Sequence, residues 1–83
     1  MKINVRYRAH LAQLTKIGEE TIEASSVKDV LKHIKKRFND EAEKTAKSMI
    51  IAVNGQSILQ LKVFKTHLQD GDEVAFLPIC GGG

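Results

Sequence analysis

The 83-residue sequence predicts one α+β domain in which a single mixed sheet packs on one main helix. Three patterns indicate this class. Apolar and polar residues alternate at the N-terminus, an apolar stripe with helical spacing runs through residues 27–38, and alternation returns near the C-terminus. Each pattern produces one apolar face, and one helix laid across one sheet buries all three faces.

The first two strands are predicted to form a hairpin. The apolar residues of the opening alternation are Ile3, Val5 and Tyr7. This period of two is typical of a strand with one buried face. Residues 10–18 are expected to form a connection, with Leu11 and Leu14 as its apolar contacts, and residues 21–24 form the returning strand.

The main helix is predicted to begin at Ser26, which Asp29 follows at the spacing of a capping box. Its apolar stripe consists of Val27, Val30, Leu31, Ile34 and Phe38. The opposite side carries Lys28, Lys32, Lys35 and Lys36. We expect these lysines to form a solvated face rather than a docking surface. The helix should weaken at residues 39–40, and residues 41–48 form either a second short helix or an irregular crossover.

The second half of the chain predicts further strands joined by turns. The apolar run 49–53 predicts a buried strand, Asn54-Gly55 is the favoured two-residue hairpin turn, and residues 56–61 should return as a short strand. Scattered apolar contacts are expected from Val63, Phe64 and Leu68. After a turn at Asp70-Gly71 comes the last strand. The residues expected on its buried face are Val74, Phe76 and Ile79, with Glu73, Ala75 and Leu77 on the other face.

Composition narrows the classes of function. The net charge of +3 is a mild excess and the chain has only four aromatic residues, which argues against nucleic-acid binding. The lone Cys80 permits neither an intramolecular disulfide nor a metal site built from cysteines. No apolar run reaches the length of a membrane span, so the expected location is the cytoplasm. A chain this short has little room for both a core and a catalytic cavity, which favours a binding or carrier role.

The last residues, Gly81, Gly82 and Gly83, form an unusual terminus. Glycine fills no core and loses the most freedom on ordering, so this run does not help folding. Its slenderness suits insertion into a narrow active site of another protein. The terminal carboxylate of Gly83 is ionised at neutral pH and can attack the α-phosphate of ATP. We therefore expect a domain over residues 1–79 and a flexible tail over 80–83; an ordinary disordered chain end is the alternative.

Three segments resemble one known family. They are the opening Val5-Arg6-Tyr7-Arg8-Ala9, the hairpin Ala52-Val53-Asn54-Gly55, and residues 68–78 followed by glycines. With the order of elements, they resemble the β-grasp fold of ubiquitin-like proteins, and within it the sulfur-carrier branch that includes the small subunit of molybdopterin synthase. Ile79 stands where these relatives commonly have a second proline. The triple glycine is similar to the ends of some thiazole-synthesis carriers.

The resemblance implies a mechanism. An ATP-dependent adenylyltransferase of the ubiquitin-activating type would convert the Gly83 carboxylate into an acyl-adenylate. A persulfide sulfur donor would then produce a thiocarboxylate. The tail would enter the large subunit of molybdopterin synthase and donate sulfur in molybdenum cofactor biosynthesis. The chain would be the non-catalytic, sulfur-donating subunit, with Gly81 and Gly82 allowing the tail to thread. We expect no bound cofactor and no metal, since the partner consumes the ATP.

The resemblance also implies a docking surface beside the tail. Its expected residues are Leu77 as a hydrophobic anchor, with Pro78, Arg8, Ile58 and Leu61. Relatives often have an apolar residue where this chain has Arg8. Charge pairing at its rim could involve Arg6, Lys62 and Lys65, although a solvated surface is the favoured interpretation for each of them. Cys80 has no histidine at a fixed short spacing to activate it, so we interpret it as incidental.

Three alternative functions remain open. Two of them use the same activated terminus, and one does not use the tail at all. The carrier could serve thiazole synthesis or tRNA thiolation. The same Gly83 carbonyl could instead form an isopeptide bond with a lysine, which would make the chain a ubiquitin-like protein modifier. A last alternative is an interaction module whose tail takes no part.

Overall fold

The computed structural model describes residues 1–57 and 67–79 of the chain. Within these ranges the chain forms five strands and three helices. In chain order they are β1 (Lys2–Tyr7), α1 (Ala9–Thr15), β2 (Glu19–Glu23), α2 (Val27–Arg37), α3 (Asp40–Lys47), β3 (Ile50–Val53), β4 (Gln56–Ser57) and β5 (Glu73–Leu77). The α+β class predicted from the sequence is confirmed, with two helices shorter than α2 beside the main one.

The described strands form one mixed sheet in the order β2-β1-β5-β3-β4. The first and last strands, β1 and β5, are parallel neighbours in its middle, and Val5 aligns with Val74 in their register. The pairs β1–β2, β3–β5 and β3–β4 are antiparallel. A parallel pair needs a long crossover connection, and the helices lie within it.

The core lies between one face of the sheet and the helices. The fully buried residues of the sheet are Ile3, Val5, Tyr7, Val74 and Phe76. The buried residues of α2 are Val27, Val30, Leu31 and Ile34, and Leu11 and Leu68 complete the same cluster. Leu14 and Phe38 pack partly buried against it. The two alternating patterns and the helical stripe read from the sequence therefore meet in one core, as predicted.

The predicted connection at residues 10–18 contains the helix α1. Leu11 and Thr15, four residues apart, are buried on one side of this helix. It ends at Lys16, whose φ of 64° is left-handed and whose backbone N–H donates to the Ala12 carbonyl at 2.8 Å. Such a left-handed residue is a common way for a helix to end. The following strand begins at Glu19, two residues earlier than the sequence pattern indicates.

The caps of α2 and α3 explain where these helices begin. The Ser26 hydroxyl accepts a hydrogen bond from the Asp29 N–H at 3.2 Å. The Asp29 carboxylate accepts in return from the N–H and the hydroxyl of Ser25, one residue before the expected partner. These bonds, led by that from the Ser25 hydroxyl, lower the pKa of Asp29. The Asn39 side chain caps α3 by accepting a hydrogen bond from the Ala42 N–H at 2.8 Å. Of the two alternatives for residues 41–48, the short helix is therefore the one that forms, and it ends at Lys47.

The Asn54-Gly55 turn forms as predicted. Its φ angles of 53° and 85° are both positive, which is the condition that favours these two residues in a tight hairpin. The Asn54 amide also donates to the Asp72 carboxylate and accepts from the Glu73 N–H, each at 2.9 Å, so this turn is tied to the start of β5. Beyond Ser57, the predicted strand residues and the contacts of Val63 and Phe64 lie outside the described residues.

Candidate functional site

The two faces of β5 differ in burial. Val74 and Phe76 are fully buried, whereas Glu73, Ala75 and Leu77 are half-buried on the opposite face. This arrangement confirms that Leu77 lies on the side of the sheet away from α2. Ile79 was expected on the buried face, but it is 62% exposed. It lies three residues after Phe76, so alternation would place it on the side of Leu77, and the strand ends before it.

β5 occupies the centre of the sheet. It pairs with β1 along one edge and with β3 along the other. Backbone hydrogen bonds on both sides make fraying of this strand costly. Pro78 therefore leaves the domain from a well-supported position. The tail residues Cys80, Gly81, Gly82 and Gly83 lie outside the described residues, and their roles stay predictions.

Aromatic contacts support β5 from the core side. The Tyr7 ring stacks on the Phe76 ring with 6.3 Å between centroids and 15° between planes. It also meets Phe38 edge-on at 5.8 Å. Such pairs contribute about 0.5–1.5 kcal/mol beyond the area they bury. They couple β5 to its parallel neighbour just before the chain exits.

The Glu20 carboxylate joins β1, β2 and α2. It accepts a hydrogen bond from the Tyr7 hydroxyl, lies 3.0 Å from His33 Nε2, and pairs with Arg37 Nε at 3.1 Å. Glu20 has only 13% of its side chain exposed, so all three partners act in a partly desolvated environment. Burial, and then the hydrogen bond to Glu20, raise the pKa of Tyr7 above its usual value.

Replacing Tyr7 with phenylalanine tests this contact. The ring remains, but Glu20 loses one donor, so Tyr7→Phe should reduce the free energy of unfolding by about 1.5–3 kcal/mol at pH 7. Because the pKa of Tyr7 is higher in the folded state, the hydroxyl's contribution is present below about pH 10 and declines above it. Denaturant unfolding at several pH values should therefore show that the unfolding free energies of wild type and variant converge at alkaline pH. A constant difference from pH 7 to alkaline pH would contradict this account.

The sheet face away from α2, called here the open face, carries an apolar strip beside the tail exit. Leu77 lies directly opposite Ile50 in the antiparallel register, and Ala75 lies opposite Ala52. Leu77, Ile50 and Ala75 are half-buried, and Ala52 is buried. Apolar side chains that stay partly accessible beside the exit suit contact with another protein.

Charged side chains border this strip. Arg6 Nε lies 2.7 Å from a Glu73 carboxylate oxygen and 3.8 Å from one of Glu19. The predicted rim residue Arg6 is thus engaged within the chain. These side chains are 35–62% exposed, so the pairs contribute little to stability. The other predicted rim residues, Lys62 and Lys65, lie outside the described residues.

The structure brings together three of the predicted docking residues. Tyr7 aligns with Phe76, and Arg8 and Leu77 each follow that pair by one residue. Arg8 is exposed between β1 and α1, and Pro78 is exposed at the end of β5. All three lie at the same end of the sheet. Ile58 and Leu61 lie outside the described residues.

Sequence reasoning did not assign two residues of this region. Ile50 was placed in a buried strand, but register puts it beside Leu77 on the open face. The run 49–53 is apolar at every position, so it does not show which of its residues face the core. The sequence did not indicate the hydrogen-bonded role of Glu20, because its partners are 13 or more residues away in the chain.

Within residues 1–57 and 67–79, no three His, Cys, Asp or Glu side chains are grouped so that they could hold a metal ion. No helix in those ranges is both long and apolar enough to cross a membrane.

Comparison with known proteins gives a family match over almost the whole chain. The model of the ThiS family matches residues 5–83. No curated protein matches the sequence at a significant level.

Several solved structures share the fold. A putative molybdopterin converting factor subunit 1 from Pyrococcus furiosus is 30% identical, with a TM-score of 0.70 over 94% of this chain and 97% of that one. Small archaeal modifier protein 1 from Methanosarcina acetivorans is 27% identical, with a TM-score of 0.79 over 99% and 96%. A complex of subunits 1 and 2 of the molybdopterin-converting factor from Helicobacter pylori 26695 contains a chain that is 26% identical, with a TM-score of 0.70 over 100% of both chains.

The mixed sheet and its parallel central pair, together with the likeness to these structures, define a ubiquitin-like β-grasp protein. The chain belongs to the ThiS family.

Proposed function

We propose that this chain carries sulfur on the carboxylate of Gly83 and donates it as the small subunit of molybdopterin synthase. The observation that carries the proposal is the family match, which continues through the glycines to residue 83. The central position of β5 supports it, since a carrier must present its terminus from a fixed point. The likeness to a putative molybdopterin converting factor subunit supports the choice of pathway.

Activation comes first. A carboxylate oxygen of Gly83 attacks the α-phosphorus of ATP in the partner adenylyltransferase, and pyrophosphate leaves. The terminal sulfur of a persulfide then attacks the acyl carbon, and AMP leaves. A thiol reduces the resulting acyl disulfide, which gives the thiocarboxylate and a new disulfide. The chain itself contributes the reacting carbonyl and the docking surface, while ATP is a substrate of the partner.

The open face serves as the docking surface. Leu77 and Ile50 supply an apolar anchor beside the exit, and Arg8 supplies a positive charge at the same end of the sheet. The adenylyltransferase and the large synthase subunit would use this surface in turn. The Helicobacter pylori complex supports such a heteromeric arrangement.

A protein modifier is the second candidate. The supporting observation is the 27% identity with small archaeal modifier protein 1. In this reaction a lysine amine, instead of sulfur, attacks the activated Gly83 carbonyl and AMP leaves. The first step is shared, so the two candidates differ only in the nucleophile.

Mass spectrometry of the intact chain tests the proposal. The chain is incubated with ATP, its host's activating enzyme and a persulfide source. A mass change equal to one oxygen-to-sulfur exchange at the terminus is expected, and reconstitution with the large synthase subunit should then transfer the sulfur. Conjugates joined to lysine would favour the modifier. A terminus that stays unmodified would contradict both.

A further inference from the structure

The positive charge of this protein is concentrated on one helix. The sequence has 13 Lys and Arg against 10 Asp and Glu. The 11 residues of α2 hold five of the basic residues and one of the acidic ones, so the rest of the chain has eight basic against nine acidic. All of the net positive charge therefore comes from α2.

Four of these basic residues share the outward side of α2. We call them the lysine face: Lys28, Lys32, Lys35 and Lys36. All four are exposed, whereas the opposite side of the helix lies in the core. Within the described residues, no carboxylate lies within ion-pair distance of any of the four. The fifth basic residue, Arg37, pairs with Glu20.

Helix stability does not account for this pattern. Lys28 and Lys32, and again Lys32 and Lys36, are four residues apart, and like charges at this spacing destabilise a helix. Lys28 also lies in the first turn, where the helix dipole disfavours a positive charge. Only Lys35 and Lys36, in the last turn, are favoured by the dipole. A pattern that opposes local stability is a reason to consider a function.

In place of the solvated face expected from the sequence, we propose that the lysine face is a second docking surface, for a protein partner whose contacting surface is rich in carboxylates. The lysine face and the open face lie on opposite sides of the domain, because α2 packs on the side of the sheet away from Leu77. A partner on the lysine face thus leaves the open face and Pro78 accessible. The proposal is independent of the chemistry at Gly83.

The surroundings of the lysine face favour an acidic protein over other polyanions. Tyr7 is buried and Phe38 is partly buried in the core, so neither offers a platform on which nucleic-acid bases could stack. Arg37, the arginine of α2, is already engaged by Glu20, which removes a bidentate phosphate contact. The apolar residues of α2 are buried, so the helix has no side to insert into a membrane.

Charge-matched variants test the proposal. One variant carries Lys28→Gln, Lys32→Gln and Lys36→Gln; the control carries Lys2→Gln, Lys16→Gln and Lys44→Gln, three exposed lysines elsewhere. Binding of a short poly-glutamate peptide is followed by backbone amide NMR shifts at low ionic strength. We expect shifts along α2 and none in β5. Affinity should fall about tenfold in the first variant and less than about twofold in the control.

A single substitution separates docking from folding. Lys32→Glu makes two repulsive lysine pairs attractive and makes one attraction, to Asp29, repulsive. Its unfolding temperature should therefore not fall, while its affinity for the peptide does. Equal losses in the two triple variants would overturn the proposal, because binding would then follow net charge alone. Shifts in β5 would overturn the separation of the two surfaces. Tighter binding of duplex RNA or of phosphatidylglycerol vesicles through α2 would overturn the choice of partner.

Discussion

Gly82→Ala should reduce ATP-dependent activation by about 100-fold or more in kcat/KM while leaving the unfolding temperature unchanged. In the proposed mechanism the tail enters a narrow site on the adenylyltransferase, where an added Cβ displaces the Gly83 carboxylate from the ATP α-phosphate. Folding should not change, because the core is formed by residues up to Phe76. The measurement is pyrophosphate release by the activating enzyme, with calorimetry of the free chain.

Gly18→Ala is the matched control. Its Cβ would have no atom within 4 Å, and Gly18 lies in the α1–β2 connection and not in the tail. Gly55 and Gly71 are unsuitable controls because their φ angles of 85° and 91° disfavour any side chain. Normal activation of the Gly82→Ala chain would show that slenderness of the tail is not required.

Leu77→Asp is expected to lower kcat/KM by about 30-fold or more, both for activation and for sulfur transfer. A carboxylate would replace the apolar anchor at the centre of the proposed contact, where it would be buried without a partner. The unfolding free energy should fall by about 1 kcal/mol or less, since Leu77 is half-buried at the end of its strand. Initial rates at a series of carrier concentrations should show the loss mainly as a raised KM.

Thr21→Asp supplies the comparison for Leu77→Asp. Thr21 is exposed on β2, and its register partner Asn4 places it on the open face, two strands from β5. The substitution adds the same charge to the same face with a similar cost to strand propensity. If both variants lose activity equally, the effect is one of net charge on the open face and Leu77 is not an anchor.

Local patterns predicted much of the fold. The alternation at β5 correctly indicated which side Leu77 occupies, because side chains of a strand alternate regardless of its neighbours. Asn54-Gly55 predicted its turn because few other residues adopt two successive positive φ angles. The stripe of α2 identified the helix and its buried side together.

Features that depend on distant contacts were not predictable in the same way. Helix α1 is held by burial of Leu11, and its seven residues carry too few apolar positions to display a helical period. Glu20 joins β1, β2 and α2 only after these elements have packed. Ile79 was assigned to the buried face against the alternation of β5, and it lies beyond the end of that strand.

The candidate site was predictable in part. Leu77, Pro78 and Arg8 were expected at one surface and do lie at one end of the sheet. Ile50 was not expected there, because only the pairing of β3 with β5 brings it next to Leu77. Register is a property of the assembled sheet, so a single strand's sequence does not reveal its neighbour.

Deleting Gly83 alone is the most direct measurement of the central claim, that the terminal carbonyl is the group other proteins charge with sulfur. The shortened chain and the full chain are compared by intact mass after incubation with ATP, the activating enzyme and a persulfide source. We predict that the full chain gains a thiocarboxylate and the shortened chain does not, at equal unfolding temperatures. A shortened chain that acquires sulfur at the same rate and still supports the synthase would contradict the claim.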